Sequence, residues 1–210
     1  MTVSNPNDLS RLDWAKGDGL LPAIVQHWRS GEVLMLGYMN AEALVETQSS
    51  GHVTFYSRSK QRLWTKGESS GHFLALKGIC IDCDADTLLI QADPHGPTCH
   101  TGTSSCFGDS AEVRPPLGFL AELDALVEQR HAKRPEGSYT TQLFEGGIRR
   151  IAQKVGEEGV ETALAAVAQG DEELLGEAAD LVFHLTVALR ARGLSLEDVA
   201  KVLANRHRAR

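Results

Sequence analysis

Three carboxylates stand at alternate positions in Asp82-Cys-Asp-Ala-Asp86. In an extended chain alternate side chains share a face. Asp82, Asp84 and Asp86 would then line one edge while Cys83 points away. Carboxylates so crowded repel unless a hard cation sits among them, and Mg²⁺ favours such oxygen donors. A solvated acidic turn is the bland alternative. An EF-hand loop fits poorly, because its sixth and twelfth positions would be Thr87 and Asp93 rather than Gly and Glu. All four cysteines lie between Cys80 and Cys106. Cys83, Cys99 and Cys106 would leave a zinc ion one open position for water, the pattern of a catalytic site; a structural four-cysteine zinc with Cys80-x-x-Cys83 as a knuckle competes with it. The run Ile79-Cys-Ile-Asp-Cys83 reads as a strand, which would send Cys80 and Cys83 to opposite faces. The Pro-Cys-x-x-Cys element of zinc deaminases is missing.

Trp64-Thr-Lys-Gly-Glu-Ser-Ser-Gly71 packs an aromatic ring, a cation, an acid, hydroxyls and two glycines into eight residues. Glycine lets backbone approach a phosphate, and Lys and Ser or Thr can bind one. A polar hairpin loop would explain the glycines and serines but not the tryptophan. Further on, Glu158 and Glu161 are three apart and Glu157 and Glu161 four apart, spacings that share a helical face. Glu177 and Asp180 repeat the spacing of three. Two antiparallel helices could gather these carboxylates around Mg²⁺, against the alternative of two ordinary solvated faces. Asp180 lies in an apolar stretch, Ala178-Ala-Asp-Leu-Val-Phe183, where a buried charge would need a partner.

These residues need scaffolds of two kinds. Up to about residue 110, short apolar runs alternate with Gly, Ser and Asp: Glu32–Gly37, His52–Tyr56, Phe73–Leu76, Gly78–Asp82 and Thr87–Gln91. They predict a sheet-rich α+β domain, with one helix over 40–49 capped by Asn40. From about residue 118 onward the pattern is helical only: Leu117–Arg130, Leu143–Ala168, Asp171–Arg192 and a last helix opening at Ser195, where Ser195-Leu-Glu-Asp198 resembles a capping box. The apolar face of the second would be Ile148, Ile151, Val155, Val160, Leu164 and Val167. Arg114-Pro115-Pro116 reads as the linker, giving domains 1–114 and 115–210.

With 210 residues and 42% hydrophobic content, the chain can bury two small cores. Its formal charge of −7 argues against a nucleic-acid partner. No apolar run approaches the roughly 20 residues of a membrane span. Residues 1–14 lack a leader's apolar core. A cytoplasmic protein with reduced, metal-binding cysteines is expected.

Across most of residues 15–110 the chain resembles the phosphoribosyl-AMP cyclohydrolase family. The resemblance is carried by Val33–Leu44, Phe55-Tyr-Ser-Arg-Ser59, Leu63–Gly71, Asp82–Asp86, Cys99-His-Thr-Gly102 and Ser105-Cys-Phe107. It implies Zn²⁺ on Cys83, Cys99 and Cys106, with Cys80 outside the set, and Mg²⁺ on Asp82, Asp84 and Asp86. It also implies a homodimer in which two chains share the zinc ligands. The substrate would meet Arg58, Trp64, Thr65, Lys66, Ser69, Ser70 and Gly71. His100 is the candidate proton shuttle, with His72 and His95 behind it, and Lys66 and Glu68 join the catalytic set. Residues 118–205 resemble phosphoribosyl-ATP pyrophosphohydrolase, an all-α nucleotide pyrophosphohydrolase, through Ser138-Tyr-Thr140, Lys154–Glu158, Glu161 and Glu177–Leu181. Phe183 departs from the Tyr of many relatives. This second resemblance implies Mg²⁺ held by Glu157, Glu158, Glu161, Glu177 and Asp180. Glu158 and Glu161 would be catalytic, Lys154 would face the phosphates, and the helical module would dimerise. Together they predict a bifunctional hydrolase acting on phosphoribosyl-ATP and then phosphoribosyl-AMP.

Overall fold

The computed structural model describes residues 11–108 and 115–208. The linker residue Arg114 and the first ten residues lie outside that range. The chain divides into two compact units, residues 1–118 and 119–210. Among the described residues, no helix is long and apolar enough to cross a membrane.

The first unit is built on a four-stranded sheet in the order β2-β1-β6-β5 and a two-stranded ribbon β3-β4. Its strands are β1 (Leu21–His27), β2 (Val33–Met39), β3 (Thr54–Ser57), β4 (Arg62–Thr65), β5 (Leu74–Ile81) and β6 (Leu88–Pro94). Strands β1 and β6 run parallel, with Ala23 opposite Leu88 and Val25 opposite Ile90. Every second residue of each is buried: Leu21, Ala23 and Val25 on one, Leu88, Ile90 and Ala92 on the other. That period of two places their apolar faces on one core. The runs expected separately at Phe73–Leu76 and Gly78–Asp82 are one strand, β5, whose register shifts between Leu76 and Gly78. A bulge of this kind re-phases the two segments.

Helix α1 (Ala41–Ser50) starts where Asn40 Oδ1 accepts a hydrogen bond from Ala43 N at 2.8 Å. It lays Ala43, Leu44 and Thr47 on the core. Beneath it Phe55, 1% exposed, is the largest fully buried side chain. Gly37 lets this ring approach: a Cβ there would lie 2.5 Å from Phe55 Cε1. The ribbon pairs Phe55 with Trp64 and Ser57 with Arg62, so Arg62 and Trp64 share a face by alternation.

The second unit is all helical: α2 (Gly118–Lys133), α3 (Tyr139–Glu145), α4 (Gly147–Ala168), α5 (Asp171–Ala191) and α6 (Leu196–Arg208). The single helix expected over Leu143–Ala168 is two. Gly147 takes φ +74 between α3 and α4, a left-handed turn that glycine adopts without a Cβ penalty. Val127, Leu143, Phe144, Ile151 and Val187 form the core. The cap at Ser195 is reciprocal, with Asp198 N donating to Ser195 Oγ and Ser195 N to Asp198 Oδ2. Arg190 ties α5 to α2 through Asp124 at 3.1 Å and Glu128 at 3.0 Å. Of the expected apolar face on α4, Ile151 alone is buried, while Ile148, Val160, Leu164 and Val167 are exposed in the single chain.

Candidate functional sites

In the first unit, β4 and the loops after β4 and β6 surround a cavity of about 410 Å³. Its walls include Trp64, Lys66, Ser69, Ser70, His72, Cys99, His100 and Cys106. Trp64 stands on the buried Phe55, ring centroids 5.6 Å apart. Cys99 accepts a hydrogen bond from Thr101 Oγ1 at 3.1 Å. That bond, joined by the Thr101 backbone, draws the Cys99 thiol down to about 6, which favours the thiolate form that metals bind. Cys106 moves upward through burial and the neighbouring Cys99 charge. The two sulfurs are therefore neighbours of unlike acidity, soft donors suited to zinc. His100 Nδ1 lies 3.7 Å from Cys99 Sγ.

Not every expected residue lines this cavity. Cys83 does not, nor does it join Cys99 and Cys106 in a three-donor cluster among the described residues. Arg58 instead covers the Tyr38 ring at 3.8 Å. Thr65 bonds Thr54 across the ribbon at 2.9 Å, and Glu68 and Arg62 face each other in a smaller cleft beside Trp64.

The extended reading of Asp82–Asp86 is wrong in its backbone. Strand β5 ends at Ile81, and Ala85 adopts φ +63. Asp82 Oδ1 accepts from Asp86 N and Thr87 N, both at 3.1 Å, so its side chain closes the loop from within. The argument from opposite faces for Cys80 and Cys83 fails with it. The turn nevertheless brings Asp82, Asp84 and Asp86 together, ligand oxygens within 4.8 Å of one another. Lys16, missed in the sequence, lies against them: its Nζ is 2.8 Å from Asp84 and 3.2 Å from Asp86. The pairing holds Asp84 below its ordinary carboxylate range. A hydrogen bond from Asp13 N to Ala85 O anchors the segment bearing Lys16.

In the second unit, Glu158 and Glu161 of α4 meet Glu177 of α5 within 4.8 Å. Burial, with repulsion from Glu158 and Glu177, raises the Glu161 carboxyl. Such crowding is relieved by a cation. Glu158 is buried, held by Lys154 at 3.0 Å, with His184 Nδ1 at 3.7 Å. His184 Nδ1 donates to the Asp180 carbonyl at 2.9 Å, which leaves Nε2 to accept from Tyr139 Oη at 3.1 Å. Tyr139 and His184 gave no sequence signal beyond Ser138-Tyr-Thr140. Two expected ligands fall outside the cluster. Glu157 turns to Lys154 and Gln153, at 2.8 and 2.7 Å. Asp180 is exposed, so desolvation imposes no partner on its carboxylate; its apolar neighbours gave no guide to its face.

The family model described as phosphoribosyl-AMP cyclohydrolase matches residues 35–108, and that of phosphoribosyl-ATP pyrophosphohydrolase matches residues 120–207. Relatives named histidine biosynthesis bifunctional protein HisIE align over nearly the whole chain. The one from Xanthomonas campestris pv. campestris is 64% identical over 99% of this chain and 98% of its own. That of Xylella fastidiosa strain Temecula1 is 66% identical over 95% of each. The Escherichia coli K12 relative is 60% identical over 93% of this chain and 95% of its own.

Proposed function

The chain belongs to the bifunctional histidine-biosynthesis family that joins a phosphoribosyl-AMP cyclohydrolase to a phosphoribosyl-ATP pyrophosphohydrolase, and from that premise we propose which residues carry each reaction. The chain is a hydrolase of two consecutive steps. Phosphoribosyl-ATP loses pyrophosphate, and the adenine N1–C6 bond of the resulting phosphoribosyl-AMP is then opened to the formimino-carboxamide ribotide.

The ring-opening site is the cavity of Cys99 and Cys106, the observation that carries the assignment. The two sulfurs hold Zn²⁺ there, which when bound lets water act as a nucleophile at neutral pH. Cys83 completes the ligand set from a second copy of the chain. Support for this homodimer is that one chain gathers only two of the three thiols. Trp64 offers a face to the adenine ring, Lys66 with Ser69, Ser70 and the Gly71 backbone receives the substrate's polar groups, and His100 beside Cys99 moves the proton. Arg58 and Thr65 hold the surrounding ribbon, and Glu68 acts through Arg62. Asp82, Asp84 and Asp86 fit Mg²⁺ as an all-oxygen donor set.

In the second unit, Glu158, Glu161 and Glu177 hold Mg²⁺, with Asp180 at the rim. The ion, when bound, offsets triphosphate charge and promotes attack of water. Glu158 and Glu161 orient that water. Lys154, bridging Glu157 and Glu158, keeps Glu158 in place and presents a cation to the phosphates. The exposed Val160, Leu164 and Val167 support dimerisation through α4. A cytoplasmic location fits the reduced cysteines.

The deciding assay supplies phosphoribosyl-ATP and Mg²⁺ and follows both pyrophosphate and the ring-opened ribotide. Cys99→Ser should stop at phosphoribosyl-AMP. Glu161→Gln should release no pyrophosphate yet open phosphoribosyl-AMP supplied directly. Cross-effects, or a Cys99→Ser protein that still opens the ring, would overturn the assignments.

A further inference from the structure

We infer that the small cleft beside Trp64, lined by Ser57, Lys60, Arg62, Glu68 and Ser69, binds one of the two 5′-phosphates of the cyclohydrolase substrate, with Arg62 as its ligand and Glu68 as the residue that positions Arg62. The inference rests on the phosphoribosyl-AMP reading of this unit. Phosphoribosyl-AMP carries a phosphate on each of two riboses, so two anions flank the ring that must lie near Cys99 and Cys106. The larger cavity offers a single Lys or Arg among the described residues, Lys66. A second anion needs a second cation.

The smaller cleft adjoins the first through Trp64 and Ser69, which line both. Its volume is about 150 Å³, below the roughly 300–1,000 Å³ of a cavity for a whole ligand but fit for one end of it. Lys60 and Arg62 outnumber Glu68 there, so the lining is net positive. The ribbon fixes this lining. Arg62 stands opposite Ser57 and two residues from Trp64. The turn between the strands is closed by Lys60 N donating to Ser57 Oγ and Gln61 Nε2 donating to Arg58 O.

Arg62 is held but not used up. Nη2 donates to Glu68 Oε1 at 2.7 Å, and Nη1 donates to Leu63 O at 2.7 Å and to Glu68 Oε2 at 3.5 Å. Glu68 is fixed in turn by Thr65 N at 3.3 Å. A guanidinium has five N–H donors. The Nε–H and one Nη2–H have no partner among the described residues. These two lie side by side along one edge of the guanidinium, the geometry that grips a phosphate bidentately. The Ser57 and Ser69 hydroxyls supply further donors.

The test gives phosphoribosyl-AMP directly to the full chain and compares wild type with Arg62→Gln and Lys60→Gln. Urea unfolding followed by the fluorescence of Trp14, Trp28 and Trp64, all in this unit, serves as the folding control. For Arg62→Gln, KM should rise by about tenfold to a hundredfold, as for loss of a charge-assisted bond, with kcat little changed. With substrate analogues lacking the 5′-phosphate of one ribose or the other, the penalty should vanish for one of the two, and Lys60→Gln should follow the same analogue. Glu68→Gln should raise KM in the wild-type background but add nothing to Arg62→Gln. An unchanged KM in Arg62→Gln, or the same penalty on both analogues, overturns the subsite. Binding of ribose 5-phosphate by calorimetry needs no turnover. Its loss in Arg62→Gln supports the subsite even if ring opening fails, and binding equal to wild type removes it while the cyclohydrolase reading stands.

Discussion

Replacing Gly37 with alanine would drive a methyl group into the Phe55 ring, against Cδ1 and 2.5 Å from Cε1. Carbon atoms in contact prefer about 3.5–4.0 Å, so ring or strand must shift by about 1 Å. The ring has little freedom to do so: it is 1% exposed and supports Trp64 from beneath. Overpacking of a tight core costs about 1–3 kcal/mol, and a rigid buried ring places this case near the top of the range. With a urea slope of about 1–3 kcal/mol/M, the unfolding midpoint should fall by about 1–3 M. All three tryptophans, Trp14, Trp28 and Trp64, lie in the first unit, so tryptophan fluorescence reads that unit alone. KM for phosphoribosyl-AMP should rise as Trp64 moves, while pyrophosphate release stays unchanged. Adding Phe55→Leu makes room for the methyl, so the double variant should be more stable than the sum of its singles. An unchanged midpoint in Gly37→Ala, or strict additivity in the double variant, would refute the reasoning.

Asp124→Ala leaves Arg190 with Glu128 alone and frees Leu196 N, which donates to Asp124 Oδ1; a loss of about 2–4 kcal/mol is expected in helical-unit stability by circular dichroism. Lys16→Met removes the ammonium that competes for Asp84 and Asp86, so equilibrium binding of Mg²⁺ or Mn²⁺ in the first unit should tighten; weaker binding would show that Lys16 helps to build the site instead. Burial, then the charges of Arg134 and Arg190, depress the His131 imidazolium below its ordinary 6.5. The folded state therefore binds fewer protons than the unfolded one. This contribution is complete above 6.5 and is lost as pH falls below it. Helical-unit stability should drop between pH 7.5 and 5.5, with a shallower slope in His131→Gln.

Elements with local punctuation were legible in the sequence: Asn40 opens α1, Ser195 and Asp198 box the start of α6, and the apolar run Thr87–Gln91 falls on β6. What escaped depended on information outside the local window. The left-handed Ala85 leaves no compositional mark, so a turn passed for a strand. The apolar period runs across Gly146-Gly147, and pattern alone joined α3 to α4. The face that Asp180 presents depends on the packing of α5, not on its neighbours in sequence. Strand β1, with Pro22 near its start, was not singled out, although it lies at the centre of the sheet. Lys16 is 68 residues from Asp84, beyond the reach of any spacing rule. In the sites, spacing pointed to Asp82, Asp84 and Asp86 and to Glu158, Glu161 and Glu177, which lie together, whereas of the expected thiols Cys99 and Cys106 line one cavity and Cys83 does not. Glu157 required knowledge of its partner, Lys154.

The two acidic trios differ in how far apart in sequence their members lie. Asp82, Asp84 and Asp86 fall within five residues, and their turn is closed by the Asp82 side chain itself. Glu158 and Glu177 meet only when α4 and α5 pack. A ligand stabilises a fold only to the extent that it prefers the native to the unfolded chain. An unfolded chain retains much of the first trio's proximity, but of the second it keeps Glu158 beside Glu161 and loses Glu177. Mg²⁺ should therefore raise the melting temperature of the helical unit with increasing concentration and leave that of the sheet unit nearly flat. One acidic trio is in this sense a property of a peptide, the other a property of a tertiary structure.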